Sequence, residues 1–192
     1  MQGYRNHVGH SQNLERAHVS TMASQLLSHS GSSMDLPNGV TFSVDKDSFS
    51  FSSEHNDDCP YPPPIVETNL NQFGITQLDG GFNVITELKN RPHQLDTGNT
   101  WITYASPTVA SLSLRLRNRK NGDRFQPLGM NTDVKLQDFF VGTGLPKRWR
   151  DRVPLIESNS GILWVAGSRL AEWGKVMPEH TKVTRLELIP PL

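Results

Sequence analysis

The sequence predicts an α+β fold, in which a short N-terminal helix and hairpins precede a C-terminal module of strands and short helices. Two observations support this class. Apolar residues recur at intervals of three to four over residues 13–29, which is the helical period. Turn pairs such as Asn38-Gly39 and Asn121-Gly122 lie beside segments in which apolar and polar residues alternate, as they do in half-buried strands.

The N-terminal region, residues 1–58, is predicted to be a helix followed by a hairpin. Asn13 can cap the helix and Gly31 can end it. Residues 40–44 and 49–51 then alternate between apolar and polar side chains, which indicates two strands.

A Pro-rich linker is predicted at residues 59–64, because this stretch is stiff and extended and follows a polar run. Residues 65–110 are predicted to be a connecting region of short strands. Within it, Asp79-Gly80-Gly81 marks a hairpin turn, and residues 100–104 suit another strand.

The C-terminal domain is predicted to cover residues 111–192. Leucines alternate with arginines over residues 112–119, so one strand face is apolar and the other presents three arginines. The pair Asn121-Gly122 is expected to close a hairpin into residues 123–125. Asp133 is expected to cap a short helix that ends at Gly142.

Three further elements complete this prediction. Pro146 suits the first turn of a helix over residues 147–153, on which Arg148 and Arg152 share a face. The apolar run at residues 161–167 suits a buried strand, and residues 181–189 form a final strand.

The net charge of zero hides a strongly basic segment at residues 115–152. This segment holds ten Lys/Arg against four Asp, whereas the residues before it carry five basic and eleven acidic side chains. Such clustering predicts a polyanion partner, and arginine binds phosphate oxygens bidentately. The predicted RNA-binding residues are Arg115, Arg117, Arg119, Lys120, Arg124, Lys147, Arg148, Arg150 and Arg152. The alternative is a solvated face whose arginines pair with acids of the N-terminal half.

Other classes of site find little support in the sequence. One cysteine, Cys59, cannot form an internal disulfide or a multi-thiolate zinc site. No phosphate-binding glycine loop, dinucleotide fingerprint or nucleophile elbow occurs. We therefore predict no catalytic and no metal-binding residue. No apolar run approaches the ~20 residues of a membrane span, and the polar N-terminus favours the cytoplasm.

Four motifs resemble the C-terminal domain of the tRNA(Ile)-lysidine synthase family in order and spacing. The first is Leu116-Arg-Asn-Arg-Lys-Asn-Gly-Asp-Arg-Phe-Gln-Pro-Leu-Gly-Met130. The others lie at residues 135–140, 146–155 and 162–170. A weaker similarity links the helix and the Leu36-Pro-Asn-Gly39 turn to the middle region of the family.

This resemblance implies a function. The family attaches lysine to the wobble cytidine of isoleucine tRNA with ATP and magnesium, and its C-terminal domains grip tRNA away from the anticodon. The implied fold is an α+β sandwich-like module related to a domain of the phenylalanyl-tRNA synthetase β chain. The Ser-Gly-Gly-x-Asp-Ser loop of the family's ATP-binding domain is absent from this sequence. The chain alone is therefore expected to be inactive and to bind no cofactor itself.

Two other hypotheses remain open at this point. The chain could be a non-catalytic module that docks an acidic protein partner, such as a separately encoded catalytic chain. It could also be the product of a broken gene. The resemblance favours the tRNA-binding portion of a lysidine synthase over both.

Overall fold

A computed structural model describes the chain over residues 14–28, 32–44, 49–53, 59–96 and 98–191. The chain forms two compact units. The smaller unit consists of residues 1–59 and 143–148, and the larger one of residues 60–142 and 149–192. None of the helices in the described ranges combines the length and the apolar composition needed to cross a bilayer.

Over its described residues, the smaller unit contains a helix and an antiparallel sheet in the order β1-β2-β3. Its elements are α1 (Arg16–Ser28), β1 (Ser32–Leu36), β2 (Val40–Val44) and β3 (Phe49–Ser53). The turn between β1 and β2 places Asn38 at φ +64°, which confirms the predicted Asn-Gly hairpin. Alternate residues of β2 are buried with Met22 of α1 in one core. The predicted helix is confirmed over its described part, while Asn13 and Gly31 lie outside the described residues.

The larger unit contains an antiparallel sheet in the order β13-β12-β11-β8-β4. Its strands are β4 (Thr68–Asn69), β8 (Arg115–Arg117), β11 (Leu155–Ser158), β12 (Gly161–Val165) and β13 (Arg169–Leu170). The strand predicted at residues 161–167 is confirmed as β12, whose apolar side chains are buried.

A second antiparallel sheet of the larger unit has the order β5-β6-β14-β7. Its strands are β5 (Gly74–Gln77), β6 (Asn83–Asn90), β7 (Ile102–Ala105) and β14 (Lys182–Ile189). The turn at Asp79–Gly81 joins β5 to β6, and β14 matches the predicted final strand. One apolar core contains side chains of both sheets, with Trp164 and Leu186 at its centre. The α+β class is therefore confirmed.

Residues 65–110 are an integral part of the larger unit. They supply β4, which pairs with β8, and both β6 and β7, which pair with β14 on its two sides. The boundary predicted between residues 110 and 111 therefore falls inside one compact unit. It was placed by local composition, whereas these strands find their partners far away in sequence.

The Pro-rich segment 59–64 is packed against the larger unit from Tyr61 onward. Tyr61 is 6% exposed and contacts Trp101 edge-on, with ring centroids 5.4 Å apart. An aromatic side chain buried in this way fixes the segment in place, so it is not a free linker over its full length.

Three elements within the basic segment differ from prediction. The Asn121-Gly122 turn does not close a hairpin, because β9 (Arg124–Phe125) pairs with β10 (Val134–Lys135) and not with β8. The helix predicted from Asp133 begins later, as α2 (Leu136–Gly142), because β10 occupies the preceding residues. The helix predicted over residues 147–153 is only a 3₁₀ turn at Lys147–Trp149.

Candidate nucleic-acid interface

Arg117 lies on β8 with only 8% of its side chain exposed. Its Nη1 and Nη2 atoms donate to the two carboxylate oxygens of Asp123 at 2.8 and 3.0 Å. Nη2 also donates to Oε2 of Glu157 at 2.6 Å. The Nη donors of Arg117 thus face buried carboxylates, which weakens its candidacy for RNA phosphates, and its role in binding RNA stays a prediction. The strand face expected to be open is covered at this position.

The electrostatics of this cluster keep all three groups charged. Burial raises the pKa of Asp123, but the hydrogen bonds and charge of Arg117 and the N–H of Lys120 lower it below its ordinary value. Burial likewise raises the pKa of Glu157, and the two arginines beside it lower it further than burial raises it. Burial lowers the pKa of Arg117, and the two carboxylates raise it above its ordinary value.

Arg115 and Lys120 lie at the solvent side of this network, and both contact Glu67. The Nζ of Lys120 is 3.0 Å from Oε2 of Glu67, and Nη1 of Arg115 is 3.5 Å from Oε1. Arg115 also donates from Nε to Glu157 at 2.8 Å. Three cations of the network thus face three carboxylates. Of these carboxylates only Glu67 belongs to the N-terminal half, so the alternative of pairing with acids of that half applies to Glu67 and not to Asp123 or Glu157.

Four cations of the basic segment line a small pocket beside the turn at residues 120–123. The cavity has a volume of about 120 Å³. We call it the basic pocket, and the cations that line it are Arg119, Lys120, Arg124 and Lys135. Its carboxylate is Asp123, and both oxygens of that group accept hydrogen bonds from Arg117. The basic pocket therefore has a net positive charge.

Backbone hydrogen bonds hold the elements of the basic pocket together. Arg124 and Lys135 are directly opposite in the β9–β10 register, which brings their Cβ atoms within about 5 Å. The N–H of Leu136 donates to the carbonyl of Asp123 at 2.9 Å, which ties α2 to the turn. Gly122 has a φ of +87°, a conformation that favours glycine.

Side chains orient the pocket arginines. Arg119 donates from Nε to Asp151 at 2.6 Å and from Nη1 to Gln137 at 2.9 Å. Arg124 donates from Nη2 to the carbonyl of Asp133 at 3.1 Å. The Asp151 side chain is 74% exposed, and exposed ion pairs contribute only about 0–1 kcal/mol. A phosphate group can therefore compete for Arg119.

The second predicted group of cations is divided by the structure. Arg152 donates from Nε and Nη2 to the carbonyls of Pro62 and Tyr61 at 2.9 and 2.8 Å, so it holds the Pro-rich segment in place. The helix face expected to carry Arg148 and Arg152 is not formed, because this stretch is a 3₁₀ turn followed by a loop.

The remaining members of that group lie in different units. Lys147 and Arg148 belong to the smaller unit, and Arg150 belongs to the larger one. Their role in binding RNA stays a prediction.

Sequence reasoning missed three residues of this region. Glu67 and Glu157 are the acidic partners of the arginine strand, and they lie about 40 to 50 positions away from it in sequence. No local pattern identifies such partners. Lys135 was counted in the basic segment but not among the RNA-binding residues, and its place opposite Arg124 follows from strand pairing alone.

Fold and site together define a class of protein. Residues 114–188 match the family model described as TilS substrate C-terminal domain. A solved structure titled "Crystal structure of TILS C-terminal domain" aligns with a TM-score of 0.56 and 25% identity, covering 66% of this chain and 97% of that one. Residues 114–188 of the larger unit are therefore similar to this C-terminal domain.

Named relatives show the same similarity over more of the chain. The tRNA(Ile)-lysidine synthase of Dehalococcoides mccartyi is 34% identical over 181 residues, which cover 94% of this chain and 38% of that protein. The synthase of Clostridium perfringens is 39% identical over 122 residues, covering 62% of this chain and 26% of that protein. The chain is thus similar to the C-terminal region of tRNA(Ile)-lysidine synthases, which confirms the resemblance seen in the four motifs. It spans about two fifths of the length of the Dehalococcoides relative.

Proposed function

We propose that this chain is the C-terminal, tRNA-binding portion of a tRNA(Ile)-lysidine synthase. The observation that carries the proposal is the basic pocket, which lies within the matched domain at residues 119–137. The names of the relatives supply the substrate class, and the pocket supplies a surface with the charge that an RNA backbone requires.

The proposal revises which cations face RNA. Arg117 is held in internal ion pairs with Asp123 and Glu157. The cations that line the pocket are Arg119, Lys120, Arg124 and Lys135. Arg115 contacts carboxylates on both of its sides and stays a weaker candidate. Contacts of the pocket kind position an RNA backbone without reading its bases. Selection of isoleucine tRNA therefore falls to other contacts of the complete enzyme.

The rest of the reaction is assigned to the complete enzyme. In that enzyme the family attaches lysine to the wobble cytidine and consumes ATP with magnesium, and the Ser-Gly-Gly-x-Asp-Ser loop for that step is not in this sequence. A catalytic region carrying the loop is then the protein partner of this chain. We expect both to work in the cytoplasm.

Salt-dependent binding of tRNA tests the proposal. If cations of the basic segment together replace counterions on about four phosphates, the logarithm of the binding constant falls with the logarithm of salt concentration at a slope of roughly −3. Fluorescence anisotropy of labelled isoleucine tRNA between about 50 and 200 mM salt measures this slope. A second, non-isoleucine tRNA is expected to bind with similar affinity.

Two results contradict the proposal. One is an absence of binding at the lowest salt concentration, and the other is an affinity that salt leaves unchanged. If the chain instead binds an acidic protein and no tRNA, the docking-module alternative is correct.

A further inference from the structure

The basic pocket is concave and small, which limits what it accepts. Its volume of about 120 Å³ holds one compact tetrahedral group and not a length of nucleic-acid backbone. Cations on two separate segments, residues 119–124 and residue 135, converge on it. This geometry differs from a flat basic surface, where each cation meets a different phosphate.

From these features we infer that the basic pocket binds a single phosphate group of the RNA, with Arg124 and Lys135 as its principal ligands. The inference rests on the proposed function and names the chemical group that this site takes. Arg124 is exposed and contacts the carbonyl of Asp133 through Nη2, which leaves its Nη1 and Nε available to a ligand. Lys135 is also exposed and has no ion-pair or hydrogen-bond partner among the described residues.

The buried Arg117 prepares the site without touching the phosphate. A carboxylate in the pocket wall would repel an anion, and Asp123 is such a group. Arg117 engages both of its oxygens, and Oδ2 also accepts the N–H of Lys120 at 2.7 Å. The negative charge of Asp123 is thereby balanced by Arg117, and its hydrogen bonds fix the turn. Arg117 and Asp123 are therefore positioning residues.

The other two cations of the pocket, Arg119 and Lys120, can bind the phosphate with only a small loss of free energy from their present ion pairs. Lys120 is 61% exposed and paired with the half-exposed Glu67, and Arg119 is paired with the exposed Asp151. Exposed pairs of this kind are weak, so an incoming phosphate can replace the carboxylates. Charge-assisted hydrogen bonds from guanidinium and ammonium groups then hold it.

The test compares two double variants of the full chain by tRNA binding. One is Arg124→Gln with Lys135→Gln, which removes the two principal ligands. The matched control is Lys89→Gln with Lys182→Gln, which removes two exposed lysines from the sheet of β6 and β14. We expect roughly a 10-fold loss of affinity in the pocket variant and less than a twofold change in the control.

The salt slope distinguishes one phosphate from two. Two ligands that share one phosphate reduce the slope by only about 0.7–0.9 when both are removed, whereas two separate phosphates give roughly twice that reduction. Arg124→Lys keeps the positive charge but removes the guanidinium that contacts the carbonyl of Asp133. We expect this variant to retain most of the tRNA affinity, which would show that the charge matters more than the contact with Asp133. Thermal melting of each variant confirms that it is folded.

The same titrations identify the source of the phosphate. The tRNA is prepared with a 5′-monophosphate and with a 5′-hydroxyl. A loss in the pocket variant that occurs only with the phosphorylated RNA assigns the pocket to the terminal phosphate, and an equal loss with both RNAs assigns it to an internal one. Equal tRNA affinity of the pocket variant and the control variant overturns the inference. A reduction of the salt slope by roughly twice 0.7–0.9, as expected for two separate phosphates, also overturns it. Salt-dependent binding by the wild-type chain preserves the proposed function in that case.

Discussion

Replacement of Arg117 by methionine tests the role assigned to the buried ion cluster. Methionine keeps much of the length and apolar stem of arginine but removes the guanidinium. Two carboxylates then lose their main partner in a poorly solvated place, since the side chains of Asp123 and Glu157 are 13% and 8% exposed. We therefore expect lower stability and not merely a lost surface contact.

The magnitude follows from what each carboxylate retains. Removing one partner of a buried ion pair costs about 3–5 kcal/mol. We expect the lower end, about 3 kcal/mol, because Glu157 keeps Arg115 and Asp123 keeps the N–H of Lys120. For a domain of this size such a change lowers the melting temperature by roughly 10 °C.

The effect depends on pH in a defined direction. In the wild-type chain the lowered pKa values of Asp123 and Glu157 contribute stability above their ordinary pKa values, and this contribution is lost as the pH falls through the folded values. Without Arg117, burial is expected to dominate and raise both values. The free energy of unfolding of the variant is then lowered at neutral pH, where the two carboxylates are charged, and recovers in acid, where they are protonated. The difference in stability between the wild-type chain and the variant therefore shrinks between pH 7 and about pH 4.

Urea denaturation at pH 7 and in acid measures both quantities, and a second arginine supplies the control. Arg185→Met removes a cation that is 15% exposed and pairs with Glu187 and Glu87 at 2.5 and 3.3 Å on the sheet surface. We expect a smaller cost there than for Arg117→Met, because Glu87 is 46% exposed and regains water when the arginine is removed. The reasoning is refuted if Arg117→Met lowers the free energy of unfolding by no more than Arg185→Met does. It is also refuted if the loss caused by Arg117→Met is the same at both pH values.

Three other substitutions give distinct outcomes. Gly122→Ala has open space for its Cβ but a φ of +87°, so we expect a loss of about 1–2 kcal/mol in denaturation and weaker tRNA binding; no change in either means that the turn relaxes freely. Gly174→Ala places its Cβ 2.5 Å from Cδ1 of Leu163, and we expect a cost of about 1–3 kcal/mol with tRNA binding of the folded protein unchanged. Glu67→Gln removes a carboxylate that competes for Lys120, so tRNA affinity should rise severalfold in the anisotropy titration; a fall would show that Glu67 positions the lysine.

Local pattern predicted much of the secondary structure. The strand at residues 40–44, the turn at Asp79–Gly81 and the strands near residues 161 and 181 were recognised, because alternation and turn chemistry act within a few residues. The assignment of the fold family came from four motifs in one order. Both kinds of signal are contained in short stretches of chain.

Strand partners could not be predicted in the same way. The Asn121-Gly122 pair suggested a hairpin, yet β8 pairs with β11 and β4 while β9 pairs with β10. A strand's neighbours are chosen by the burial of whole sheet faces across long loops. For the same reason residues 65–110 could not be recognised as part of the C-terminal domain.

The sequence by itself determined the α+β class, the family likeness and the presence of a basic segment, because composition and short-range periodicity record these properties directly. Only the tertiary structure decided which cations remain for a ligand. It buried Arg117 against Asp123 and Glu157, and it placed Lys135 opposite Arg124 at the basic pocket. The physical reason is that the effective charge of a side chain depends on the neighbours that folding brings to it.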